Sequence, residues 1–413
     1  MTVRSTLIDL ARRYGTPAYV YDLEAVRAAR RELHGWLPEG FEVFYALKAN
    51  PHVDLVRALH DGAGPACRAE VSSTGELEAA LAAGYSAGTE VLYTGPGKTG
   101  GELHTAIGSG VRMFSAESLS DLIHIGEAAL ESGVVAECLL RINSLSASAT
   151  TSIRMTGRPS QFGIDSETIA ELAPRLRSVP GTSIAGLHLY SQSNARDEDA
   201  LIEEFRHTLE VAAQVQDDLG VPLRLLDIGG GFSVPYAQHG ERARYPKLAA
   251  ELADALDLSF PSWREGFPRM AVESGRYLVG DSGTLVASVS NVKVSRGHTF
   301  VILDAGINTF GGMSGLGRLL PVSVQVDADT ETRKATLAGP LCTPGDILGR
   351  EIDVPFVSDG DAVVIPNAGA YGPTSSLLMF LGRPSPTEIV IDGDRVVSVS
   401  RIERIRTVVA EPD

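Results

Sequence analysis

A lysine ends an apolar, strand-like segment near the start of the chain, in the run Tyr45-Ala46-Leu47-Lys48-Ala49-Asn50-Pro51. A lysine amine in such a place can reach into a site and form an imine with a carbonyl compound. Lysines at strand ends are more often solvated, with only the aliphatic part of the side chain packed. The choice between these interpretations depends on which other residues would lie beside Lys48.

Further apolar segments also end in residues that can bind or react. These strand-end residues are Glu70, His188 with Tyr190, the glycine turn at residues 229–231, and Glu273 followed by Gly275 and Arg276. Each has an ordinary structural explanation when it is taken alone. Glu273 and Arg276 could form a surface ion pair, the glycines could permit a tight turn, and Tyr190 could pack in a core.

Taken together, these residue types match the requirements of one cofactor, pyridoxal phosphate. A lysine amine can hold its aldehyde, an aromatic side chain can face its ring, and glycine N–H groups with Arg276 can hold its phosphate. A carboxylate such as Glu273 can keep the pyridine nitrogen protonated, which makes the ring a strong electron sink. We therefore predict a pyridoxal phosphate site with Lys48 as the covalent attachment and Glu273 at the pyridine nitrogen.

The segments that would position these residues alternate between short apolar runs and helical stretches from about residue 30 to residue 280. Eight strand-like runs occur, at residues 41–49, 68–73, 91–95, 112–116, 137–143, 184–190, 223–229 and 269–273. Eight βα repeats are typical of a TIM barrel, in which catalytic residues stand at the carboxyl ends of the strands. Ser73 and Glu76 have the spacing of a helix capping box.

After about residue 280 the pattern changes to alternating strands without long helices between them. Strands are predicted at residues 284–294, 299–304, 322–326, 362–366 and 388–391, and the early segment 17–21 is predicted to join them. Residues 1–29 and 281–413 would then form one β domain into which the barrel of residues 30–280 is inserted. The predicted fold class is α/β, a TIM (β/α)8 barrel inserted into a mainly antiparallel, β-barrel-like domain.

The composition is that of a globular protein, with 413 residues, 44% of them hydrophobic, and a formal charge of -16. This acidity, without a basic cluster, argues against nucleic acid and anionic membrane as partners. No run approaches a membrane span and the N-terminus lacks a secretory signal, so we predict a cytoplasmic protein. Cys67, Cys138 and Cys342 lie far apart without metal-ligand spacing, which predicts reduced thiols and no metal site.

The motifs of the chain occur in an order found in a known enzyme family. They are Tyr45-Ala46-Leu47-Lys48-Ala49-Asn50, Gly95-Pro96-Gly97-Lys98, Ser160-Gln161-Phe162-Gly163-Ile164, Gly186-Leu187-His188, the turn at Gly229, Glu273-Ser274-Gly275-Arg276, Cys342-Thr343-Pro344-Gly345-Asp346 and Ala370-Tyr371-Gly372. Over essentially the whole chain they resemble the fold-type III pyridoxal-phosphate decarboxylases, the diaminopimelate and ornithine decarboxylase family.

The resemblance implies α-decarboxylation of an amino-acid unit by a homodimer with shared active sites. Lys48 would bind the cofactor covalently, and Cys342, delivered from the other subunit by the β domain, would return a proton to the product. Cofactor contacts would come from Glu70, Arg141, His188, Tyr190, Gly230, Gly231, Glu273, Gly275, Arg276 and Tyr371. Substrate contacts would come from Arg158, Phe162, Thr343 and Asp346.

Three departures from the best-known members bear on the substrate. Tyr190 stands where the family commonly has a histidine against the cofactor ring. Thr343 stands where those members have an acidic residue for the substrate's distal amine, and a neutral threonine cannot pair with an ammonium. The glycine-rich segment 311–317 indicates room for a bulkier substrate. These differences resemble the decarboxylases of butirosin and staphyloferrin B biosynthesis, which act on amino acids joined to a carrier protein or to citrate.

Three alternative functions remain open at the level of the sequence. A diaminopimelate decarboxylase of lysine biosynthesis would share most of the motifs. An amino-acid racemase on a similar barrel typically places an arginine at the ring nitrogen, and Glu273 argues against it. A non-catalytic cofactor-carrier protein is usually a barrel alone, so the predicted β domain with Cys342 and Tyr371 argues against that function.

Overall fold

The computed structural model of the chain describes residues 3–62, 64–144, 159–190, 195, 197–311 and 323–409. The chain forms two compact units. Val26–Val234 and Arg242–Leu278 form the first, which we name the barrel unit. Met1–Ala25, Pro235–Glu241 and Val279–Asp413 form the second, which we name the β unit. Within the described ranges, no helix is both long and apolar enough to cross a membrane.

Helices and strands alternate through most of the chain. Up to residue 143 they are α1 (Val3–Tyr14), β1 (Ala18–Asp22), α2 (Leu23–Trp36), β2 (Glu42–Ala46), α3 (Val53–His60), β3 (Arg68–Val71), α4 (Thr74–Ala82), α5 (Ala87–Glu90), β4 (Val91–Tyr93), α6 (Gly100–Gly108), β5 (Met113–Ala116), α7 (Leu119–Glu131) and β6 (Ala136–Asn143). Up to residue 279 they continue with β7 (Ile164–Asp165), α8 (Ile169–Arg177), β8 (Thr182–Leu189), α9 (Glu198–Leu219), β9 (Leu225–Asp227), α10 (Leu248–Ser259), β10 (Arg269–Ser274) and α11 (Arg276–Val279). The last part contains β11 (Gly283–Ser295), β12 (His298–Leu303), β13 (Thr332–Ala338), β14 (Ile347–Pro355), β15 (Ala362–Ile365), β16 (Thr387–Asp392) and β17 (Arg395–Arg401).

The barrel unit is closed by parallel strand pairing. In the part of the chain that the structure describes, eight parallel strands follow the order β2-β3-β4-β5-β6-β8-β9-β10, and β10 pairs back onto β2. The short strand β7 adds to the edge of β6. All eight predicted strand segments of the barrel coincide with these strands, so the predicted TIM barrel is confirmed.

The helices of the barrel unit begin where the sequence supplies capping groups. At the start of α4 the Ser73 hydroxyl accepts the N–H of Glu76 at 3.2 Å, as its spacing predicted, but the Glu76 carboxylate accepts the N–H of Ser72, at 2.7 Å. Thr99 and Glu102 form a complete capping box at α6. Because such caps fix the point where each helix begins, they also set the length of the strand-to-helix turns at the rim.

The inside of the barrel is a packed apolar core. Its central cluster is Phe44, Leu92, Met113, Leu139, Ala185, Leu225 and Ala271. Strand β8 passes so close to β9 that a Cβ on Gly186 would lie 1.7 Å from the carbonyl oxygen of Leu225, so only glycine fits there. A filled interior leaves the rim of the barrel as the place for chemistry.

The β unit is a mainly antiparallel sheet in the order β14-β13-β12-β11-β1-β16-β17, with β15 paired to β11. Strand β1 lies between β11, to which it is antiparallel, and β16, to which it is parallel. The N-terminal strand therefore completes a sheet built from C-terminal residues, as the sequence predicted. Helix α1 packs on this sheet, where Ala11 joins a core with Val20, Val286 and Ile389.

Some parts of the β unit differ from the prediction. Helix α1 and strands β13, β14 and β17 are present but had not been predicted. The predicted strand at residues 322–326 is wrong where it is described: Val324 and Gln325 bond singly to Leu348 and Ala237 and join no ladder. Strands β13, β14 and β17 mix charged or small polar residues with their apolar ones, so their strand signal is weak. Residues 322–326 show the opposite case, because their apolar and polar residues alternate although the described part joins no ladder.

The segment Pro235–Glu241 belongs to the β unit although it lies in the middle of the barrel sequence. The Asn367 side chain donates to the carbonyl oxygens of Gln238 and Gly240, at 2.7 and 3.2 Å. The Ala237 N–H donates to the carbonyl oxygen of Asn367 at 3.0 Å. The segment has no hydrophobic period, so the sequence carried no signal for this excursion.

Candidate active site

The predicted site residues of the barrel unit meet at one rim, because parallel strands have their carboxyl ends on the same side. Lys48 lies in the short helical turn Leu47–Ala49 directly after β2. Glu70 is in β3, Arg141 in β6 and Glu273 in β10. The fold thus brings together residues that are up to about 225 positions apart in the sequence.

The amine of Lys48 is held beside Glu70 and remains accessible. Its Nζ lies 3.3 Å from Oε2 and 3.5 Å from Oε1 of Glu70. The Lys48 side chain is 46% exposed and that of Glu70 only 3%. The hydroxyls of Ser72 and Thr94 donate to Oε1 of Glu70 and fix its carboxylate. Since strong charge-assisted bonds are about 2.8 Å long, these two approaches to Glu70 are weak ones, and the half-exposed side chain of Lys48 is accessible to a ligand at the rim.

A buried cluster of three titratable side chains lies at the base of this rim. Glu273, His188 and Asp227 are each 3% exposed or less, and one polar atom from each lies within 4.8 Å of the others. Nε2 of His188 is 3.2 Å from Oε1 of Glu273, and Nδ1 of His188 is 2.8 Å from the Ser115 hydroxyl. The N–H of Gly229 donates to Oδ1 of Asp227 at 2.9 Å.

Burial controls the protonation of this cluster. Burial raises the pKa of Glu273, and the neighbouring carboxylates of Glu70 and Asp227 raise it further. Burial also raises the pKa of Asp227, to about 7. The pKa of His188 is lowered by burial and by the cations of Arg141, Lys48 and Lys98. The rim therefore holds a neutral imidazole beside two carboxyl groups that compete for protons.

The cluster contains buried polar atoms that still need partners. Oε1 of Glu273, Nε2 of His188 and Oδ2 of Asp227 have no hydrogen-bond partner among the described residues; the 3.2 Å approach of the first two has poor hydrogen-bond geometry. A buried carboxylate oxygen without a donor is unfavourable, and a pyridinium N–H would supply that donor. Three such groups could also bind a metal ion, but a metal site has no need of the lysine and glycine turn beside them. The residues fit pyridoxal phosphate.

The glycine turn after β9 lies against the same cluster. Gly229 and Gly231 have φ angles of +76° and +130°, a backbone region that favours glycine. A Cβ on Gly230 would lie 2.2 Å from the carbonyl oxygen of Glu273. The ring of Tyr190 lies beside Gly229 and Gly230. The turn is thus shaped by close packing: a side chain on Gly230 would displace the backbone at Glu273, and one on Gly229 would displace the backbone at Leu189.

A second glycine joins the end of β10 to the lysine turn. A Cβ on Gly275 would lie 2.9 Å from Cβ of Ala49, next to Lys48. Arg276 follows directly as the first residue of α11 and is half-buried. The predicted lysine and arginine are therefore anchored on backbone segments that touch.

Glu117 is a site residue that the sequence analysis missed. It is 4% exposed, and one carboxylate oxygen accepts a bond from Arg141 while the other accepts the N–H of Gly163, both at 2.9 Å. The Arg141 guanidinium lies 4.7 Å from the ring centre of Phe162. Because Glu117 directly follows β5, the strand-end rule used for the other residues would have found it.

The motif that contains Lys98 supports Glu117. The Lys98 side chain is 1% exposed, and its Nζ donates to Asp121 and to the carbonyl oxygen of Gly95, each at 2.6 Å. Asp121 in turn accepts the N–H of Glu117 at 2.9 Å. A buried chain of charges therefore runs from Lys98 to Arg141 and fixes the position of the Arg141 guanidinium.

In the β unit, Cys342 and Thr343 lie on the loop between β13 and β14. Cys342 is exposed, and the Thr343 hydroxyl accepts the N–H of Gly345 at 3.4 Å. Asp346 is 2% exposed, and its two oxygens accept the N–H groups of Ile307 and Leu341, at 2.8 and 2.6 Å. The geometry favours a role for Asp346 in bracing this loop over the predicted substrate contact, which stays a prediction.

Tyr371 lies on the loop after β15 in the left-handed backbone region, with φ of +51°. Its carbonyl oxygen accepts the hydroxyl of Tyr236 at 3.1 Å. The segment that contains Tyr236 thereby fixes the turn on which Tyr371 stands. The predicted substrate residue Arg158 lies outside the described residues.

Comparison with known proteins agrees with this geometry. The family described as "Pyridoxal-dependent decarboxylase, pyridoxal binding domain" matches residues 23–280. The chain is 34% identical over 400 residues to the L-glutamyl-[BtrI acyl-carrier protein] decarboxylase of Niallia circulans, covering 94% of this chain and 91% of that protein. It is 27% identical to the 2-[(L-alanin-3-ylcarbamoyl)methyl]-2-hydroxybutanedioate decarboxylase of Staphylococcus aureus, with 90% of this chain and 93% of that protein covered.

Among solved structures, the diaminopimelate decarboxylase of Helicobacter pylori complexed with L-lysine superposes with a TM-score of 0.80 at 26% identity, covering 94% of this chain and 95% of that one. The family match takes in every barrel residue of the rim described above. Because that match covers more than half of the chain and the relatives are matched along nearly their full length, the chain belongs to the pyridoxal-dependent decarboxylases, enzymes whose cofactor is pyridoxal phosphate.

Proposed function

We propose that this decarboxylase removes the α-carboxylate of an amino acid that is carried in a larger conjugate, in antibiotic or siderophore biosynthesis. The observation that supports this substrate is the charge of the loop at residues 339–346. Its one carboxylate, Asp346, is buried and accepts two backbone N–H groups, and Thr343 is neutral. A free substrate with a distal ammonium would find no counter-charge in this loop.

The relatives support the same substrate class. The name of the Niallia circulans relative describes a glutamyl group on an acyl-carrier protein, and the name of the Staphylococcus aureus relative describes an alaninyl group joined through a carbamoyl link to a hydroxybutanedioate. In both names the amino-acid unit is part of a conjugate. A conjugated substrate for this chain needs no acidic residue at position 343.

In the proposed mechanism, Lys48 and Glu273 have separate tasks. When bound, pyridoxal phosphate accepts the electron pair that remains on Cα after carbon dioxide leaves. The accessible amine of Lys48 would hold the cofactor through its aldehyde. Oε1 of Glu273, which has no hydrogen-bond partner among the described residues, would accept the ring N–H and so keep the ring nitrogen protonated.

The remaining predicted residues orient the cofactor and the substrate. Gly230, Gly231, Gly275, Arg276 and Tyr371 are assigned to the phosphate. Tyr190 and His188 would face the ring, Glu70 would hold the lysine amine near the aldehyde, and Arg141 would lie by the ring hydroxyl. Phe162 and Arg158 are assigned to the substrate. The support for Arg141 and Phe162 is their fixed contact at 4.7 Å, held in place by Glu117.

We also propose a homodimer in which Cys342 of one subunit serves the barrel of its partner. The thiol of Cys342 would donate its proton to Cα after carbon dioxide has left, so that the amine product can be released by Lys48. The support is the position of Cys342 on an exposed loop, next to an exposed apolar segment. We name Leu377, Met379, Phe380 and Leu381 the apolar ridge; these side chains are 42 to 72% exposed.

Hydrogen bonds join the apolar ridge to the loop at residues 339–346, which carries Cys342, within the β unit. Arg383, two residues after the ridge, donates to the carbonyl oxygen of Pro340 at 3.2 Å. The N–H of Leu377 donates to the carbonyl oxygen of Ile307, which also neighbours Asp346. A contiguous exposed apolar surface is typical of a protein interface. A second copy that covers this ridge would come to lie beside Cys342.

The substrate proposal is tested by carbon dioxide release from a panel of compounds. The panel contains free amino acids including meso-diaminopimelate, glutamyl and other aminoacyl groups on an acyl-carrier protein, and amino acids linked to citrate. We expect the highest kcat/KM for a conjugate. The proposed substrate class would be wrong if a free amino acid were turned over faster than every conjugate.

A diaminopimelate decarboxylase is the second candidate function. The observation that favours it is the close superposition with the Helicobacter pylori enzyme. Formation of lysine from meso-diaminopimelate with a kcat/KM above that for all the conjugates would establish it. The Thr343→Glu variant offers a second measurement, because it adds the counter-charge that the loop lacks. If the native enzyme acts on another substrate, this variant should turn over diaminopimelate faster than the wild type; if the native enzyme is a diaminopimelate decarboxylase, we expect no improvement.

A further inference from the structure

Two buried side chains, Ser115 and His188, stand behind Glu273; the proposed mechanism gives Ser115 no task and assigns His188 only to the side of the cofactor ring. Ser115 in β5 is fully buried, and its hydroxyl lies 2.8 Å from Nδ1 of His188. Nε2 of the same imidazole lies 3.2 Å from Oε1 of Glu273. The imidazole therefore lies between the Ser115 hydroxyl and the Glu273 carboxylate.

We propose that Ser115 and His188 are a positioning pair that favours the anionic form of Glu273, which burial disfavours, at the ring nitrogen of pyridoxal phosphate. This inference rests on the proposed role of Glu273. Neither Ser115 nor His188 exchanges a proton with the substrate. Their task is to turn the N–H side of the imidazole, and not its lone pair, towards the carboxylate; at 3.2 Å this is a close electrostatic approach and not a well-aligned hydrogen bond.

The serine decides which nitrogen of His188 carries the proton. A serine hydroxyl can donate or accept, whereas a neutral imidazole has one N–H and one lone pair. When the Ser115 hydroxyl donates to Nδ1, the proton of His188 sits on Nε2 and faces Glu273. In the other tautomer a lone pair would face the carboxylate oxygen at 3.2 Å and repel it.

A neutral imidazole serves this purpose better than a charged one. An imidazolium would neutralise Glu273 and weaken its attraction for a pyridinium. Burial and the surrounding cations keep His188 neutral by lowering its pKa. The charged and titratable groups that act on His188 and Glu273 are Lys48, Glu70, Lys98, Arg141 and Asp227. When His188 is neutral, the negative charge of Glu273 remains available to the protonated ring nitrogen.

The experiment measures the proton on the ring nitrogen directly. Cofactor labelled with 15N in the ring is bound to the wild type and to Ser115→Ala, His188→Met and His188→Gln, and its nitrogen shift is followed against pH. We expect Ser115→Ala and His188→Met to lower the pH midpoint for loss of the ring proton by about one unit, since an N–H dipole turned towards a buried carboxylate changes such an equilibrium about tenfold even without a well-aligned hydrogen bond. His188→Gln retains a side-chain N–H and should restore part of the shift.

A second readout separates positioning from folding. Cofactor affinity is titrated in the cofactor-free proteins, and we expect it to fall about tenfold in Ser115→Ala and His188→Met, with kcat reduced and KM nearly unchanged. Thr208→Val, which removes another buried hydroxyl of the barrel unit, is the matched control and should behave as the wild type. If the His188 variants do not fold, Ser115→Ala alone decides the question.

The outcomes distinguish this inference from the proposed function. If the midpoint moves in Glu273→Gln but stays at the wild-type value in both Ser115→Ala and His188→Met, the positioning pair is wrong and the role of Glu273 stands. If the midpoint does not move in Glu273→Gln either, the proposed role of Glu273 is itself wrong. A loss of thermal stability without a change in the midpoint assigns Ser115 and His188 a structural role only and overturns the inference.

Discussion

At the rim of the barrel, the side chains differ in how much water they meet. Lys48 is 46% exposed, whereas Glu70 and Glu273 are almost completely buried. This difference matches the two tasks that the cofactor requires. An amine that must form and break a bond needs access, and a carboxylate that must keep a proton in place benefits from a fixed, dry environment in which electrostatic interactions are stronger.

The first prediction concerns Lys48. The Lys48→Ala variant should bind no cofactor covalently, so the visible absorbance that borohydride reduction removes should be absent, and turnover should fall below detection. Lys247→Ala, which removes an exposed lysine paired with Asp199 at 2.9 Å, is the matched control and should keep both signals. Retention of a reducible absorbance in Lys48→Ala would assign the covalent attachment to another lysine.

The second prediction concerns Glu117, which holds Arg141 and Gly163 at once. Glu117→Gln removes the charge that neutralises a buried arginine, so we expect the free energy of unfolding to fall by about 2 kcal/mol. Because Arg141 and Phe162 lose their fixed contact, KM for the substrate should rise. Urea unfolding and steady-state kinetics measure the two effects.

Glu137→Gln is the control for Glu117→Gln. Glu137 and Arg224 form an ion pair of nearly the same length, 3.0 Å, but both side chains are 46% exposed. Exposed pairs of this kind contribute little to stability. Equal losses of stability in the two variants would show that the burial of the Glu117 pair has no special importance.

At the scale of elements, predictability followed the strength of the local pattern. The barrel strands are short, buried runs bounded by helices, so each carried a clear apolar signal, and all eight were placed correctly. Helix α1 and strands β13, β14 and β17 are partly exposed. Charged or small polar residues interrupt their apolar residues, and the place of each in the β unit depends on packing and pairing that local patterns do not contain.

The same limit applies to the site. The residue types at the ends of the strands could be read from the sequence, because a TIM barrel always collects strand ends at one rim. The contact of Ser115 with His188, across the intervening strand β6, depends on strand register and shear, which local patterns do not contain. Asp346 shows the converse case: the resemblance implied a substrate contact, which stays a prediction, and the backbone N–H groups that its two oxygens accept had no signal in the sequence.

The third prediction concerns the loop that carries Cys342. In Asp346→Asn one carboxylate oxygen is replaced by an NH2 group, which must face a backbone N–H that formerly had an acceptor. We expect a loss of about 2 kcal/mol in the free energy of unfolding and a lower kcat, because the loop no longer holds Cys342 in place. Asp353→Asn removes one partner of an exposed ion pair with Lys334 on the adjoining strands and should change neither the free energy of unfolding nor kcat. If Asp346→Asn were less stable but kept the wild-type kcat, the position of the loop would not matter for catalysis.

The fourth prediction concerns a buried acid of the β unit, Glu388 in β16. Burial raises its pKa from an ordinary value of 4.5 to about 7, although the Tyr21 hydroxyl donates to it at 3.1 Å. Between pH 4.5 and 7 the folded protein keeps a proton that the unfolded chain releases. The contribution of Glu388 to stability is therefore full below pH 4.5 and is lost as the pH rises to 7.

The measurement for Glu388 is the difference in the free energy of unfolding between Glu388→Gln and the wild type, taken at two pH values. A shift of this size corresponds to roughly 3 kcal/mol. The change in the free energy of unfolding caused by Glu388→Gln should therefore be more favourable at pH 8 than at pH 4.5. Thermal unfolding at both pH values gives this difference. Glu403→Gln, an exposed carboxyl of the same unit, is the control and should give no difference. An equal effect of Glu388→Gln at both pH values would contradict the prediction.

At the scale of the whole molecule, the proposed homodimer assigns the two reactive side chains to different copies. Lys48 stands at the rim of the barrel unit, and Cys342 stands on an exposed loop of the β unit beside the apolar ridge. The chain carries a formal charge of -16, so two copies repel at long range. An apolar contact surface would provide the attraction that holds them together.

Mixing inactive subunits tests this arrangement. Refolding Lys48→Ala together with Cys342→Ala in equal amounts should restore about a quarter of the wild-type activity, because half of the randomly paired dimers are mixed and each mixed dimer has one site with both native side chains. Cys342→Ala alone should lose about 10² to 10⁴ in kcat, the usual effect of removing a proton donor. The double variant mixed with wild type is the matched control: shared sites leave its mixed dimers inactive, whereas sites contained within one subunit would leave them half active. Mixed dimers that are properly folded and show no recovery in the first experiment, together with half-active dimers in the control, would assign Cys342 to the site of its own subunit.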